Sequence, residues 1–165
     1  MSLVVALLLS WAEPRPAPAA AAGPTASPAR PALLAEPNAA KAQAEVRAVL
    51  DAQVAAWNRG DLEGFMAGYW RSPELVFCSG ATVTKGWEPT LERYRKRYQS
   101  EGREMGQLGF EGIDIVPLAP DAAFARGAYR LKMKDGSEPH GLFTLLLRRL
   151  DGAWRIVHDH TSSAE

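Results

Sequence analysis

Apolar residues in the first part of the chain recur every three or four positions, which is the period of an α-helix. Val46, Leu50 and Val54 form one such apolar stripe. Asn38 precedes the stripe and belongs to the residue types that favour helix N-caps. The pattern therefore predicts an amphipathic helix over residues 39–58 that buries one face.

Two shorter helices are predicted to follow, separated by a strand. Asp61 can cap a second helix that continues to about Tyr69, where a Ser-Pro pair breaks it. An apolar run at residues 75–78 is typical of a short strand. Gly86 then precedes a third helix, and Pro89 lies in its first turn, where a missing N–H costs nothing.

The apolar period changes to two after Met105, which indicates strands rather than helices. Turn residues separate the strands, and Asp151-Gly152 is a strong hairpin signal. The predicted strands cover residues 108–117, 124–133, 141–150 and 154–162. Helices followed by a meander of strands predict an α+β fold, with the helices on one face of an antiparallel sheet.

The front end of the chain has a different character. Residues 3–9 are apolar but too few to span a bilayer, and small residues follow them, although no positive charge precedes them. We therefore expect residues 1–20 to be a signal peptide and the protein to be exported, to the periplasm or the medium. Residues 21–37 are rich in alanine and proline and are predicted to be a disordered linker. The folded domain is then residues 38–165.

Charge and cysteine content exclude several classes of function. Lysine and arginine together number 19, as do aspartate and glutamate, so nothing favours a nucleic-acid partner, and the mature form gives no sign of a membrane partner. The basic cluster at residues 93–97 has glutamates nearby and is interpreted as a solvated helix face. Cys78 is the single cysteine, which excludes an intrachain disulfide and a multi-cysteine zinc site. We expect no metal and no cofactor.

Several short motifs resemble those of a known family. They lie at residues 56–63, 86, 93–94, 105–108 and 141–145, and in the closing segment Trp-Arg-Ile-Val-His-Asp-His-Thr-Ser at residues 154–162. Over about residues 40–163 the chain resembles the nuclear transport factor 2-like superfamily, and within it a SnoaL-like subgroup known as a domain of unknown function. The resemblance implies a cone-shaped α+β roll, in which a strongly bent, mostly antiparallel sheet wraps three N-terminal helices and leaves a cavity. It also implies a homodimer that forms sheet to sheet.

The superfamily includes a steroid isomerase, whose catalytic groups are not retained here. The resemblance places its general base at Phe77 or Cys78, neither of which is a carboxylate. It places the protonated aspartate at Phe143 and the oxyanion tyrosine at Gln53. Two supporting tyrosines do match, at Tyr69 and Tyr94. Steroid-isomerase chemistry is therefore rejected, and a shared fold does not by itself give a function.

The leading hypothesis is an exported domain that binds a small, largely apolar molecule in the cone. The resemblance places an aromatic set with one arginine around the cavity, namely Trp57, Tyr69, Phe77, Tyr94, Tyr98, Tyr129, Arg130 and Phe143. Asp159 would point inward, and an Asp159–Arg130 pair would orient the ligand. A plain salt bridge from Asp159 to Arg126 or Arg130 is the structural alternative.

Two other functions stay open. Asp159, with Tyr69 or Tyr94, could serve an acid–base enzyme of the isomerase, cyclase or dehydratase type.

The third possibility is a homo-association module. Strict alternation along the last strand places Trp154, Ile156, His158 and His160 on one face, which the resemblance makes the outer face of the sheet. His158 or His160 could instead act as a general base, or form a metal site with His140. A slip of one residue would reverse the facing.

Overall fold

The computed structural model describes residues 36–164, and these form an α+β fold as predicted. The helices are α1 (Glu36–Asn58), α2 (Leu62–Met66) and α3 (Trp87–Tyr98). The strands are β1 (Val76–Ser79), β2 (Thr82–Lys85), β3 (Gln107–Ala119), β4 (Ala122–Lys132), β5 (His140–Leu150) and β6 (Ala153–Ser163). The predicted signal peptide and almost all of the predicted linker lie outside the described residues.

Helix α1 buries its apolar stripe, as the helical spacing requires. Val46 and Leu50 are completely buried. At the end of the helix, the Asn58 side chain bonds to the backbone of Leu108 twice: Nδ2 donates to the carbonyl at 3.0 Å and Oδ1 accepts from the N–H at 2.6 Å. The C-terminal end of α1 is therefore fixed against the first long strand, β3.

Helix α2 is shorter than predicted because the chain leaves the helix to join the sheet. The Asp61 side chain caps its start, accepting a hydrogen bond of 2.7 Å from a backbone N–H in the first turn. Beyond Met66, the Trp70 N–H donates to the Ile156 carbonyl and the Ile156 N–H donates to the Gly68 carbonyl, both at 2.9 Å. These bonds to β6 use backbone groups that a longer helix would have to keep for itself.

The strands form one curved, mixed sheet in the order β2-β1-β6-β5-β4-β3. Strands β3 to β6 make the predicted antiparallel meander, whereas β1 pairs with β6 in parallel. The sequence pattern does not reveal β2. This edge strand is mostly exposed, with Val83 at 62% exposure, so it lacks the buried face that produces a period of two.

Strand β6 contains a β-bulge that shifts its two halves by one residue relative to each other. Ile156 lies opposite Leu147, but His158 lies opposite the adjacent residue Leu146. Val157 is therefore the extra residue, without a partner of its own in β5. Side chains on either side of Val157 do not follow a single alternation.

The bulge overturns part of the predicted outer face. Trp154 and Ile156 point inward and are 3% and 0% exposed, and the Trp154 indole N–H donates to Glu45 Oε2 of α1 at 2.9 Å. The prediction that these two residues belong to an interface is wrong. His158 and His160 lie beyond the bulge on the opposite side of the sheet, as predicted, with His160 exposed.

Candidate ligand-binding site

A cavity of about 1030 Å³ lies between the helices and the inner face of the sheet. Its wall contains most of the residues predicted to bind a ligand, which are Trp57, Tyr69, Phe77, Tyr94, Tyr98, Tyr129 and Phe143. The rings pack against one another, as in the edge-to-face pair of Trp57 and Tyr98, whose ring centres are 4.8 Å apart. The cavity therefore has a largely aromatic wall, and the role of these residues in binding stays a prediction.

Arg130 does not face the cavity, contrary to the prediction. Its neighbours Tyr129 and Leu131 on β4 line the cavity, so alternation points Arg130 to the other side of the strand. There its guanidinium contacts Glu138 at 2.8 Å and Glu111 at 3.4 Å. The predicted polar pair with Asp159 is therefore wrong.

The predicted salt bridge from Asp159 to a nearby arginine is also wrong. Arg130 is engaged by the two glutamates, and Arg126 pairs with Asp114 at 2.9 Å. Asp159 instead lies in the cavity wall with no arginine against it among the described residues.

Asp159 is the buried carboxylate of the site. It is 3% exposed, accepts a hydrogen bond from the Tyr69 hydroxyl at 2.7 Å, and accepts another from the Thr161 hydroxyl at 2.8 Å on its second oxygen. Burial raises the pKa of Asp159 to about 6, even though the bonds from Tyr69 and Thr161 and the charge of His160 lower it. The group can therefore change its protonation state near neutral pH. We call Gln53, Tyr69, Asp159 and Thr161 the cavity floor.

The two retained tyrosines keep their phenolic protons. Burial, followed by the negative charge of Asp159, raises the pKa of the Tyr69 phenol well above its ordinary value. The same two causes, in the same order, raise the pKa of Tyr94. Tyr94 packs against Phe65 and Phe77, with ring centres 5.4 and 5.5 Å away.

Two irregularities of the backbone bring the floor together. The bulge at Val157 turns Asp159 toward the cavity while leaving Ile156 in the core. The parallel bridge between Tyr69 and Ile156 carries the end of α2 to the same strand. Without both features, the phenol and the carboxylate would not be adjacent.

Sequence reasoning missed two members of the floor. Thr161 is two residues from Asp159 in the strand, and this same-face spacing was a usable signal. Gln53 is buried and donates to the Phe65 carbonyl at 3.1 Å. A side chain at Gly68 would meet the Gln53 amide within 3 Å, so the glycine makes room for it. A polar residue beside the apolar stripe of α1 was the signal for Gln53.

The cavity lining also contains a basic group. We call this group the cavity mouth and define it by the lining residues Arg93, Lys96, Arg97, Arg103 and Lys134. They come from α3, from the loop that follows it and from the turn between β4 and β5. All are exposed except Arg93, which is half-buried. The interpretation of residues 93–97 as a merely solvated helix face is therefore incomplete.

The outer side of the sheet carries apolar as well as histidine side chains. Leu142 and Leu146 of β5 are 64% and 36% exposed. His160 lies across from Thr144 on β5, and His158 lies across from Leu146. We call Leu142, Leu146, His158 and His160 the outer patch.

Residues 36–164 contain no group of three or more His, Cys, Asp or Glu side chains arranged to hold a metal ion. In the same stretch, no helix combines the length and the apolar character needed to cross a bilayer.

The fold and the cavity define a nuclear transport factor 2-like domain. More narrowly, the model of the SnoaL-like domain family matches residues 46–164, and the chain belongs to that family. No curated protein matches the sequence.

Solved structures agree with this assignment. A nuclear transport factor 2-like protein of unknown function from Shewanella oneidensis MR-1 is 37% identical, with a TM-score of 0.68 over 73% of this chain and 98% of that one. A nuclear transport factor 2-like superfamily protein from Salmonella enterica serovar Typhimurium LT2 is 18% identical, with a TM-score of 0.64 over 76% and 93% of the two chains. The family resemblance read from the sequence is confirmed.

Proposed function

We propose that the domain binds a small, largely apolar molecule in the cavity and orients it through the floor. The observation that carries the proposal is the cavity of about 1030 Å³, with aromatic walls and one buried carboxylate. Binding sites for small molecules typically combine such apolar walls with a few convergent polar groups. Such pockets typically enclose about 300–1,000 Å³, and this cavity is at the upper end of that range. The ligand can therefore be as large as several fused rings.

Asp159 has unused hydrogen-bonding capacity toward a ligand. Each of its oxygens accepts one bond from the protein, which leaves a second lone-pair site on each. Below its pKa of about 6 the group also carries a proton that it can donate. A ligand hydroxyl, amine or carbonyl can therefore be held at the floor.

A binding screen tests the proposal. Compounds with a compact apolar body should raise the melting temperature of the protein, and affinities should fall in Asp159→Asn for those with a polar end. Asp51→Asn serves as a control, because Asp51 lies on the exposed face of α1 in a pair with Arg47. If no compound class raised the melting temperature and the cavity held no co-purified molecule, the proposal would fail.

A second candidate is an acid–base enzyme. It is favoured by the placement of Asp159, with a pKa of about 6, against a protonated Tyr69 phenol. In this case Asp159 is the general base and Tyr69 a positioning donor. Activity should rise as the pH passes about 6, and Asp159→Asn should abolish it. Unchanged turnover in that variant would remove the enzyme hypothesis.

We also propose export and self-association. The apolar segment at residues 3–9 supports export, and the subunit mass of protein made in an exporting bacterium tests it.

The outer patch supports a homodimer, and the strand residues beside His160 are Thr144 and Cys78, both uncharged. Protonation of His160 in both copies would bring like charges together. The dimer should therefore weaken as the pH falls from about 8 to about 5, and equal dimerisation at both values would exclude a role for the histidines.

A further inference from the structure

The cations of the cavity mouth differ from other surface cations in what they contact. Arginines elsewhere are commonly ion-paired, such as Arg149 with Glu45 at 3.1 Å and Arg95 with Glu63 at 2.7 Å. Within residues 36–164, Lys134 is the one mouth residue with a carboxylate at ion-pair distance. The other four have none, namely Arg93, Lys96, Arg97 and Arg103. The mouth therefore presents positive charge that the folded domain itself does not neutralise.

Arg93 is held in place by neutral groups only. One of its terminal nitrogens donates to the Thr84 hydroxyl at 3.0 Å, and the other lies 3.5 Å from the Ser79 carbonyl oxygen. Its guanidinium also lies 5.2 Å from the centre of the Phe77 ring in the cavity wall. A guanidinium has five N–H donors, so several remain for a group in the cavity.

Arg97 repeats this arrangement one helical turn later. Its Nε donates to the Tyr98 hydroxyl at 3.2 Å, and its guanidinium lies 5.5 Å from the centre of the Tyr98 ring. Residues four apart share a helix face, which places Arg93 and Arg97 on the same side of α3. Both guanidinium groups thus lie over aromatic residues of the cavity wall while they keep access to solvent.

The carboxylates at the mouth are already engaged. Glu104 accepts a bond from the Lys134 backbone N–H at 2.7 Å and lies 3.5 Å from its ammonium. Asp135 accepts bonds of 2.8 and 2.6 Å from the backbone and hydroxyl of Ser137. Neither acid is paired with Arg93 or Arg97, whose charges stay available.

We propose that the ligand is an amphipathic anion, whose apolar body fills the aromatic cone while its oxyanion binds to Arg93 and Arg97. The inference rests on the proposed binding function and adds the chemical class of the ligand. Guanidinium groups bind oxyanions through two parallel hydrogen bonds to two oxygens of the same group, so a carboxylate or a sulfonate on a ring system would fit. The floor then meets the far end of the ligand, where Asp159 can hold a hydroxyl, amine or carbonyl group.

Two aromatic probes that share one ring system test the inference. Anilinonaphthalene sulfonate is an anion, and phenylnaphthylamine has the same rings without the sulfonate; both fluoresce when they leave water. We expect the wild-type protein to bind the anion about tenfold more tightly than the neutral probe, a difference that shrinks at high salt. Naphthoate and its neutral amide, added as competitors, repeat the comparison with a carboxylate.

Matched variants locate the effect. Arg93→Gln and Arg97→Gln should lower affinity for the sulfonate about fivefold to tenfold, and affinity for the neutral probe less than about twofold. Arg95→Gln is the control, because Arg95 lies in the same helix but pairs with Glu63 outside the cavity. It should leave both affinities unchanged.

The possible outcomes separate the two proposals. Binding of neither probe to the wild-type protein would overturn the proposed function and this inference with it. Equal binding of both probes would preserve the binding cavity and overturn the anionic ligand. Equal losses in Arg95→Gln and in both mouth variants would also overturn it, since the sulfonate would then sense only the overall charge of α3.

Discussion

The floor and the mouth of the cavity both hold charged groups, but they accommodate them in opposite ways. At the floor, Asp159 is withdrawn from water and receives hydroxyl donors instead of a cation, so burial raises its pKa to about 6. At the mouth, Arg93 and Arg97 keep access to solvent and rest on neutral groups. Since removing a charge from water costs far more than leaving it at a surface, substitutions at the floor should change stability strongly, whereas substitutions at the mouth should change binding with little effect on stability.

Deleting Val157 should have the largest effect on this contrast. The deletion removes the extra residue of the bulge, so either Ile156 or Asp159 must change to the wrong face of β6. Exposing the core residue or expelling the floor carboxylate should lower the free energy of unfolding by more than about 4 kcal/mol. Chemical denaturation measures the loss, or an absence of folding reveals it.

Val157→Ala is the matched control for that deletion. It keeps the number of residues in β6 and trims only a half-buried side chain, so it should cost about 1 kcal/mol or less. A deletion variant as stable as Val157→Ala would mean that the bulge does not determine where Asp159 points.

Replacement of Asp159 by asparagine should stabilise the protein at high pH. The folded pKa of about 6 lies above the ordinary value of 3.8, so the folded state binds more protons than the unfolded state between these values. The free energy of unfolding of the wild type therefore falls as the pH rises from about 4 to about 6. Asp159→Asn does not titrate and should be more stable by about 2 kcal/mol at about pH 8.

The pH dependence distinguishes this effect from simple repacking. Denaturation at about pH 4 should show the two proteins nearly equal, because the wild-type carboxyl is then protonated in the folded state and close to half protonated in the unfolded state, so little of the difference has developed. Asp51→Asn, on the exposed face of α1, should change stability by less than about 0.5 kcal/mol at either pH. A difference between Asp159→Asn and wild type that is the same at both pH values would contradict the elevated pKa.

Tyr69→Phe should have an intermediate effect of the opposite sign. It removes the donor that lies 2.7 Å from Asp159, leaving a buried carboxylate with Thr161 alone. The loss should be about 1–2 kcal/mol at about pH 8 and smaller at about pH 4, where Asp159 carries no charge. The same titration should show the pKa of Asp159 raised further, because the lost bond lowered it.

Tyr129→Phe controls for the loss of a phenol from the cavity wall. The Tyr129 hydroxyl contacts the Ser163 hydroxyl at 3.1 Å in an exposed position, so its removal should cost less than about 0.5 kcal/mol at either pH. Equal, pH-independent losses in Tyr69→Phe and Tyr129→Phe would show that Tyr69 does not stabilise the charged form of Asp159.

The sequence predicts the fold well because its long elements carry clear periods. The stripe containing Val46 and Leu50 and the hairpin at Asp151-Gly152 each allow a single element type, and both are confirmed. Strand β2 has no buried face and so has no pattern to read. The end of α2 depends on backbone bonds between Gly68 or Trp70 and Ile156, which lies far along the chain in β6, and no local pattern records them.

The site is less predictable, because single residues decide it. Asp159 points inward as expected, but Trp154 and Ile156 also point inward. The bulge at Val157 lies between Ile156 and Asp159 and shifts the alternation of the two faces by one residue. A period of two cannot show where a bulge falls when polar and apolar residues mix, as they do from Ile156 to His160. Arg130 fails as a prediction for a related reason: its neighbours Tyr129 and Leu131 line the cavity, and a position one residue away along a strand points to the other face.

The smallest expected effect on stability belongs to the mouth. Arg93→Gln removes a charge that contacts only neutral groups, and Arg95→Gln breaks an exposed ion pair with Glu63. Surface ion pairs and solvated charges contribute little, so each variant should change the free energy of unfolding by less than about 0.5–1 kcal/mol. Denaturation of both variants, beside their probe affinities, would then show binding changing in Arg93→Gln while stability does not. A large loss of stability in Arg93→Gln would instead show that this arginine stabilises β2 through its bond to Thr84. That result would contradict the expectation that the mouth affects binding and not stability.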